Sequence, residues 1–344
     1  MPDRKGRKME QAQPLIEIWR GPVRESLHRG HAVIWDAGGG IVAAWGNPDA
    51  VILPRSACKM IQALPLIESG AAREFGLSDA QLALSCASHQ GAAVHTDMVS
   101  EWLGGLGLDP EAALRCGPQE PNDREARDNL IRAYQSPCQI HNNCSGKHSG
   151  FLTLAKHLGA GPEYIDPDHP VQRAVLTTFE DVTGETSPGY GIDGCSAPNH
   201  ACSVTGLARA MAKFAAATES GNVRNRAMAR LTRAMASHPH LVAGETRACT
   251  ELMRAMEGRV AVKTGAEAVF VAIVPETGMG VAVKIEDGGT RAAEATITQI
   301  LIGMRVLDPN HRVARQYTYG PIRNRRNMET GYLKPVEGLA DWRL

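Results

Sequence analysis

Residues 260–285 have the sequence VAVKTGAEAVFVAIVPETGMGVAVKI, which contains three strand patterns in succession. Three runs rich in valine and alanine, VAVKTG, AVFVAIVP and MGVAVKI, have the length and composition of β-strands, with turn residues at PETG and, after the third run, at EDGG. A helical pattern, TRAAEATITQILIGMRVL, follows from Thr290 and is expected to be the last helix. The end of the chain therefore predicts a group of neighbouring strands covered by a helix.

A second set of strand patterns lies near the amino terminus. The runs LIEIW, AVIWDA and IVAAWG occur between Leu15 and Leu53, and AGGG between the last two predicts a hairpin turn. After Pro54 the apolar residues recur at helical spacing, as in SDAQLALSCASH, where Ser78 is the expected helix cap. Recurrent Met, Leu and Ala in the later helices indicate core packing rather than a ligand site.

These patterns predict an α/β (α+β) protein with one mainly antiparallel sheet. Residues 14–55 and 260–344 are expected to form the sheet, and residues 56–259 a mainly helical region packed on it as a subdomain. No repeat, low-complexity tract or linker divides the sequence, so residues 1–344 are expected to form a single unit. Residues 1–13 are expected to be a flexible tail.

Composition narrows the classes of function. The chain has 344 residues with 43% hydrophobic content, enough for a large core, and 37 basic residues balance 37 acidic ones. Because acidic and basic residues balance, no broad positive field is expected, and nucleic acid is a poor candidate for a partner. The short run Arg323 to Arg326 is expected to be solvated surface. The sequence shows no secretory signal pattern and no apolar run of about 18 residues, so a cytoplasmic protein that does not insert in a membrane is expected.

The eight cysteines are expected to be free thiols, because a chain of this size does not need disulfides and a reducing compartment would keep the thiols reduced. Burial, metal binding or reactivity must explain their presence. They are Cys58, Cys86, Cys116, Cys138, Cys144, Cys195, Cys202 and Cys249.

The sharpest local motif is S-x-x-K, formed by Ser56 and Lys59 where a strand pattern gives way to a helical one. Residues three apart share one face of a helix, so the lysine amine can reach the serine hydroxyl. Serine is a poor nucleophile unless a base takes its proton, and a lysine with a lowered pKa can do so. Alone, the motif fits a capping serine and a solvated lysine just as well.

A second motif, Lys263-Thr264-Gly265, ends a predicted edge strand. S-x-x-K combined with K-T-G is the pairing of penicillin-recognising serine hydrolases, in which S-D-N is the third element. No S-D-N stands between the two motifs, but Ser85-Cys86-Ala87-Ser88-His89 can offer a second serine in the right order. The combination favours catalysis over a chance arrangement of helix-end serines and surface lysines.

Two polar, glycine-containing segments stand between apolar helices, HNNCSGKH at 141–148 and GIDGCSAPN at 191–199. Cys144 and Cys195 can hold a soft metal, with His148, Lys147 or Asp193 completing its shell, or they can be buried thiols that line a pocket. Two cysteines in unrelated loops do not decide between these interpretations. Phosphate-binding glycine fingerprints, G-x-S-x-G and H-E-x-x-H are absent from the sequence.

Taken in order, PRSACK, SCASH, HNNCSGKHSGF, GIDGCSAPN and VKTGAE resemble the rhizobial-type L-asparaginase II family, from Ile16 to the final helix. The resemblance implies an amidohydrolase with a fold similar to serine β-lactamases and glutaminases, which converts L-asparagine to L-aspartate and ammonia. It also implies two serine–lysine tandems, Ser56 with Lys59 and Ser88 with Lys263.

The same resemblance implies a Zn²⁺ ion near the active site and a homodimer. The zinc ligands would be Cys144, Lys147 and Cys195. His148 and Asp193 would lie around the metal and orient Lys147. Cys58 inside the S-x-x-K motif is expected to make the site sensitive to oxidation.

For the chemistry, we expect Ser56 to be acylated while a neutral Lys59, beside a cationic Lys263, removes its proton. Backbone N–H groups at Ser56 and within Thr264-Gly265-Ala266 would bind the oxyanion. Arg55 and Glu267 have the right charges to pair with the carboxylate and ammonium of asparagine. The alternatives are a glutaminase, another serine-dependent amide or β-lactam hydrolase, and, in a different class, a non-catalytic zinc or redox sensor built on the cysteines.

Overall fold

The structure is a computed structural model and describes residues 11–344. Its strands are β1 (Gln13–Arg20), β2 (Val23–Asp36), β3 (Gly40–Trp45), β4 (Val51–Ile52), β5 (Tyr190–Ile192), β6 (Pro198–His200), β7 (Cys202–Ser203), β8 (Ala261–Gly265), β9 (Val269–Val274), β10 (Met279–Ile285), β11 (Pro321–Arg323) and β12 (Glu329–Pro335).

Most of the helices lie between β4 and β8. They are α1 (Lys59–Gln62), α2 (Leu64–Glu68), α3 (Ala71–Glu74), α4 (Asp79–Ser85), α5 (Ala93–Gly105), α6 (Pro110–Ala113), α7 (Arg124–Arg132), α8 (Ser145–His157), α9 (Pro170–Thr183), α10 (Val204–Ala216), α11 (Val223–Ser237), α12 (Pro239–Ala243), α13 (Ala248–Ala255), α14 (Thr290–Gly303), α15 (Arg312–Thr318) and α16 (Glu337–Ala340), with 3-10 turns at Arg55–Cys58, Gln139–His141 and Pro275–Thr277. Within residues 11–344, no helix is both long and apolar enough to cross a membrane.

One eight-stranded sheet organises the molecule. Its strands lie in the order β11-β12-β1-β2-β10-β9-β8, with β3 paired to β2, and every pairing is antiparallel. The two ends of the chain meet where β2 pairs with β10, from Asp36 opposite Met279 to Gly30 opposite Ile285. The predicted fold class, with an antiparallel sheet from both ends of the chain, is confirmed.

The strands predicted at 260–285 are β8, β9 and β10, and those predicted near the amino terminus are β1, β2 and β3. Ser78 caps α4 as expected, in a capping box with Gln81. The expected tail at 1–13 falls outside the described residues up to residue 10, and Gln13 already begins β1.

The expectation that the helix from Thr290 is the last one is wrong. After α14 the chain adds α15, then β11 and β12 at the edge of the sheet, then α16. These edge strands keep much of their surface exposed and so lack the apolar alternation that identifies a strand. The basic run at 323–326 lies in the exposed turn between them, as expected.

The central strands β9 and β10 are buried on both faces, because α10 and α14 both pack against them. The closest approach involves Gly280 in β10. A Cβ atom at this position would lie 2.1 Å from the backbone nitrogen of Ala212 and 2.4 Å from the carbonyl oxygen of Ala208. Only glycine lets α10 lie this close to the sheet.

Replacing Gly280 with alanine should therefore lower the free energy of unfolding by about 3 kcal/mol, because the backbone of a packed helix must move to relieve the overlap. Chemical denaturation of the variant measures this. Gly39→Ala is the matched control, since a Cβ atom there meets nothing within 4 Å, and we expect a change within about 0.5 kcal/mol. Equal stability of the two variants would contradict the packing argument.

Candidate active site

The S-x-x-K motif forms the 3-10 turn Arg55–Cys58 and the first residue of α1. Ser56 is half-buried, and Lys59 is buried with its amine pointing inward. The Lys59 Nζ donates to Ser88 Oγ at 3.1 Å, to Cys144 Sγ at 3.1 Å and to the carbonyl oxygen of Ala87. No group within residues 11–344 hydrogen-bonds to the Ser56 hydroxyl, so its predicted partnership with Lys59 stays a prediction.

The K-T-G motif lies at the end of β8, which is an edge strand as predicted. Lys263 is fully buried, and its Nζ donates to Ser88 Oγ at 2.8 Å and to the carbonyl oxygen of Thr264 at 2.6 Å. Gly265 lets the strand touch the S-x-x-K turn, since a Cβ atom there would lie 2.7 Å from the Pro54 carbonyl oxygen and 2.9 Å from the Ala57 nitrogen. The two distant motifs are thus in direct backbone contact.

Ser88 is the residue at which the two motifs converge. It follows α4 in a loop held by the hydrogen bonds of its own N–H to Val242 (2.9 Å) and of the His89 N–H to Asn143 (3.1 Å). Its hydroxyl accepts from both Lys59 and Lys263. The structure therefore contains a continuous Lys59–Ser88–Lys263 chain through which a proton can pass.

The electrostatics of this chain differ from the expectation of a neutral Lys59 beside a cationic Lys263. Burial, followed by the positive charge of Lys59, lowers the pKa of Lys263 to about 7. Two ammonium groups that share one hydroxyl in the interior repel each other, and one of them gives up its proton. The lowered pKa falls on Lys263, so burial favours the neutral form of this amine near neutral pH.

Arg55 occupies an unusual backbone conformation directly before Ser56. Its φ angle is +52°, a region that residues with a side chain enter rarely. The buried side-chain amide of Asn199 holds this peptide on both sides, accepting from the Arg55 N–H at 3.0 Å and donating to the Arg55 carbonyl at 3.3 Å. The sequence gives no local signal for this contact, because the two residues are 144 positions apart.

The Arg55 side chain is also held in place. Its Nε and Nη2 donate to one carboxylate oxygen of Asp193 at 3.1 and 2.8 Å, and this hydrogen bond raises the pKa of the guanidinium. Asp193, expected to orient Lys147, is thus an ion-pair partner of Arg55. Glu267, the other predicted partner for the substrate charges, is exposed in the turn after β8. The substrate-binding roles of Arg55, Glu267, Thr264, Gly265 and Ala266 stay predictions.

Cys58 has the properties of an inert thiol. It is 1% exposed, its Sγ donates to the carbonyl oxygen of Arg55 at 3.2 Å, and burial raises its pKa to about 12. Since the thiolate is the form that oxidants attack, these properties argue against the expected sensitivity to oxidation at this position.

Beside the Ser–Lys chain lies a buried cluster of Cys144, Lys147 and Cys195. The Lys147 amine donates to Cys195 Sγ at 3.0 Å, while Cys144 Sγ receives the hydrogen bond from Lys59. The hydrogen bond from Cys144, together with the nearby Lys147 amine, lowers the pKa of Cys195 although burial opposes the charge. The two predicted loops therefore do bring these three side chains together.

The donor set of this cluster fits a soft metal ion. Within residues 11–344, no group of three or more His, Cys, Asp or Glu side chains is arranged to hold a metal, so a lysine amine would have to complete the set. One observation independent of that set concerns His148, which is buried and bonds to Tyr164 through Nδ1 at 2.8 Å. Its Nε2 lies near Cys195 and makes no hydrogen bond of normal geometry in the described part of the chain, so this nitrogen can bond to a further polar group.

One serine hydroxyl bonded to two buried lysine amines, beside a second serine in the adjoining turn, is an arrangement suited to acyl transfer. The model of the L-asparaginase II family matches residues 16–335, and the chain belongs to this family of amidohydrolases. No curated protein matches the chain.

Solved structures with a similar chain path include two β-lactamases. The enzyme from Mycobacterium bovis is 12% identical, with a TM-score of 0.40 over 77% of this chain and 89% of that one. The class C enzyme from Rhodobacter sphaeroides is 16% identical, with a TM-score of 0.40 over 79% and 95%. The native form of a protein named Mglu is 13% identical, with a TM-score of 0.44 over 89% and 71%. The family assignment rests on the family model alone.

The lowered pKa of Lys263 predicts the acid limb of the pH profile. The amine must be neutral to accept a proton, so kcat/KM for an amide substrate should rise with pH through about 7 and then level off. Initial rates across this range measure the limb. Lys263→Arg, which places a permanent cation at the same site, should remove the activity at every pH. A profile that is flat between about pH 6 and pH 8 would contradict the assignment.

Proposed function

We propose that the protein is an L-asparaginase that converts L-asparagine to L-aspartate and ammonia through an acyl-enzyme on Ser56. The observation that carries this proposal is the buried Lys59–Ser88–Lys263 chain, which lies beside the Ser56 turn. Membership of the L-asparaginase II family supports the choice of a side-chain amide as the substrate.

In the proposed first step, the Ser56 oxygen attacks the carbonyl carbon of the amide. Lys59 passes one of its protons through Ser88 to neutral Lys263 and so becomes able to take the Ser56 proton. The proton stored on Lys263 returns through Ser88 to the leaving nitrogen, and ammonia departs. A water molecule then reverses the sequence and releases aspartate, leaving every group in its starting state.

The oxyanion of the tetrahedral intermediate needs donors that are already in place. The contact of Gly265 with the Pro54–Ala57 backbone brings the end of β8 next to the S-x-x-K turn. The N–H groups of Ser56 and of the segment Thr264-Gly265-Ala266 are the proposed donors. The two hydrogen bonds between the Asn199 side chain and the Arg55 backbone support this arrangement, because they hold the peptide that precedes the nucleophile.

We propose Cys144, Lys147 and Cys195 as ligands of a Zn²⁺ ion, with His148 as a neighbour that lies around the metal and does not bind it. Bound zinc would supply positive charge that polarises or positions the substrate. The serine nucleophile and its proton path come from other residues, so the acyl transfer itself does not depend on this ion.

Eight free thiols, seven of them buried, support a reducing compartment such as the cytoplasm. The homodimer implied by the family resemblance is also part of the proposal. Exposed apolar side chains of Leu53, Tyr190 and Ile192 next to Arg55 support it.

The test of the function is ammonia release from L-asparagine. Ser56→Ala should abolish it, while Ser88→Ala and Lys263→Ala should each lower kcat by about a thousandfold, because proton transfer contributes that much. Combining the last two changes should add little, since both interrupt one chain. Ser100→Ala, in a hydroxyl that bonds only to the Thr96 carbonyl in α5, is the control with normal activity.

Turnover of glutamine or nitrocefin in preference to asparagine would replace the proposed substrate. Absence of any amide hydrolysis by the folded protein, combined with bound zinc, would favour the sensor instead. Wild-type rates in Ser56→Ala would rule out Ser56 as the nucleophile.

The zinc site predicts that purified protein carries about one zinc per chain. Cys144→Ser and Cys195→Ser should each lose it in elemental analysis and raise KM for asparagine, with a smaller effect on kcat. Cys202→Ser, at a buried thiol in β7, should keep the metal. Wild-type protein without zinc would reject the site, and complete, zinc-reversible inactivation by a chelator would show a direct part in the chemistry.

A further inference from the structure

His89 directly follows Ser88 and is 1% exposed, so its side chain lies in the interior next to the residue where the two lysines converge. Its ring makes two hydrogen bonds. The Gly91 N–H donates to Nδ1 at 3.1 Å, and Nε2 lies 2.9 Å from the Ser145 hydroxyl oxygen. Because this hydroxyl donates to the Ile140 carbonyl at 2.9 Å, it accepts from Nε2. These bonds assign a neutral ring with its one proton on Nε2.

Both ring nitrogens of His89 are thus occupied by partners outside the Lys59–Ser88–Lys263 chain. Burial also lowers the pKa of the ring well below its usual range. The ring has neither a free lone pair nor a free proton to exchange with the serine or with a lysine. Any contribution of His89 to the site must therefore come from how it holds the chain.

The bond to Ser145 joins two segments of the site. His89 belongs to the Ser88 loop, residues 86–92 between α4 and α5, while Ser145 begins α8 and directly follows Cys144. A backbone bond joins the same segments, since the His89 N–H donates to the Asn143 carbonyl at 3.1 Å. The ring therefore supplies the side-chain half of a two-point attachment between the Ser88 loop and the start of α8.

A stacking contact holds the ring in the other direction. The rings of His89 and His95 have centroids 4.8 Å apart and planes 8° from parallel. His95, in α5, donates through Nε2 to the His240 carbonyl in α12 at 2.9 Å. The same helix accepts the Ser88 N–H through the Val242 carbonyl at 2.9 Å. Hydrogen bonds thus fix the His89 ring within its plane, and a neighbour bonded to α12 fixes it across that plane.

Ser88 requires an accurate position because its hydroxyl meets two amines at once. Lys263 Nζ lies 2.8 Å and Lys59 Nζ 3.1 Å from the same oxygen. Lys59 also donates to the carbonyl of Ala87, the preceding residue in the Ser88 loop. A shift of the hydroxyl by about 1 Å away from either amine would break that bond and interrupt the path.

We propose that His89 is the positioning residue of the proton path: through its bond to Ser145 it holds the Ser88 loop so that the Ser88 hydroxyl meets both lysine amines. The inference rests on the proposed function and adds a residue to its machinery. It also states which ring bond matters for turnover. The bond to Gly91 lies within the Ser88 loop, whereas the bond to Ser145 attaches this loop to α8.

Two amide side chains separate these bonds. Asn at position 89 can place an oxygen where Nδ1 accepts from Gly91, and Gln reaches far enough to donate to Ser145 from the position of Nε2. We expect His89→Leu and His89→Asn each to lower kcat for L-asparagine about 10- to 100-fold with little change in KM, because a misplaced relay slows proton transfer and leaves substrate binding intact. His89→Gln should restore most of the activity.

A second measurement asks whether His89 acts through Ser88. In a Ser88→Ala protein the relaying hydroxyl is already absent, so the addition of His89→Leu should change kcat by less than about twofold. A further loss as large as that in the wild-type background would overturn the inference, and so would equal rates in His89→Asn and His89→Gln.

His31→Leu is the matched control. His31 is also buried and accepts a backbone N–H, from Asn47 at 2.9 Å, but this bond joins β2 to the turn after β3. The control should lower the stability to chemical denaturation and keep the wild-type kcat. A loss of kcat equal to that of His89→Leu would assign the effect to general destabilisation and reject the positioning role.

Failure of the proposed function gives a different result. If the wild-type protein releases no ammonia from L-asparagine, hydrogen–deuterium exchange of residues 86–91 tests the attachment without turnover. Faster exchange in His89→Leu and His89→Asn, with wild-type protection in His89→Gln, supports the positioning of the Ser88 loop, because the Ser88 and His89 N–H groups stay bonded only while the loop is held. Equal protection in the wild-type protein and all three variants rejects it.

Discussion

The site depends on one constraint, the burial of two lysine amines against a single serine hydroxyl. Two ammonium groups in the interior repel each other and have lost most of their hydration, so the pair is most stable with one proton fewer. Lys263 meets this requirement with a pKa of about 7. The Ser88 hydroxyl bonds to both amines and so offers a path between them, which a purely structural pair of charges would not need.

The rest of the fold keeps this arrangement rigid. Lys59 in α1 and Lys263 in β8 come from segments separated by about two hundred residues, and the contact of β8 with the turn before α1 brings these segments together. Gly265 and Gly280 permit backbone contacts that a side chain would prevent, one between strand and catalytic turn and one between sheet and α10. Small residues at these two points are as much a part of the site as the charged ones.

Sequence patterns within short windows predict most of the secondary structure that depends on neighbouring residues. The strands at 260–285, the capped helix after Ser78 and the S-x-x-K turn all follow from spacing within short windows. The contact of Asn199 with Arg55 depends on the packing of distant segments, and no window of sequence contains both partners. The edge strands after residue 320 escaped prediction because exposed strands lack the apolar alternation that identifies buried ones.

The Lys59 amine belongs to two clusters at once, since it donates to Ser88 and also to Cys144. An alkylating or mercurial reagent that modified Cys144 would displace this amine and stop proton transfer without touching any serine. Inhibition by thiol reagents is therefore not evidence for a cysteine nucleophile in this protein. Protection by substrate against such reagents would report on the same shared amine, because the thiol and the proton path meet at one atom.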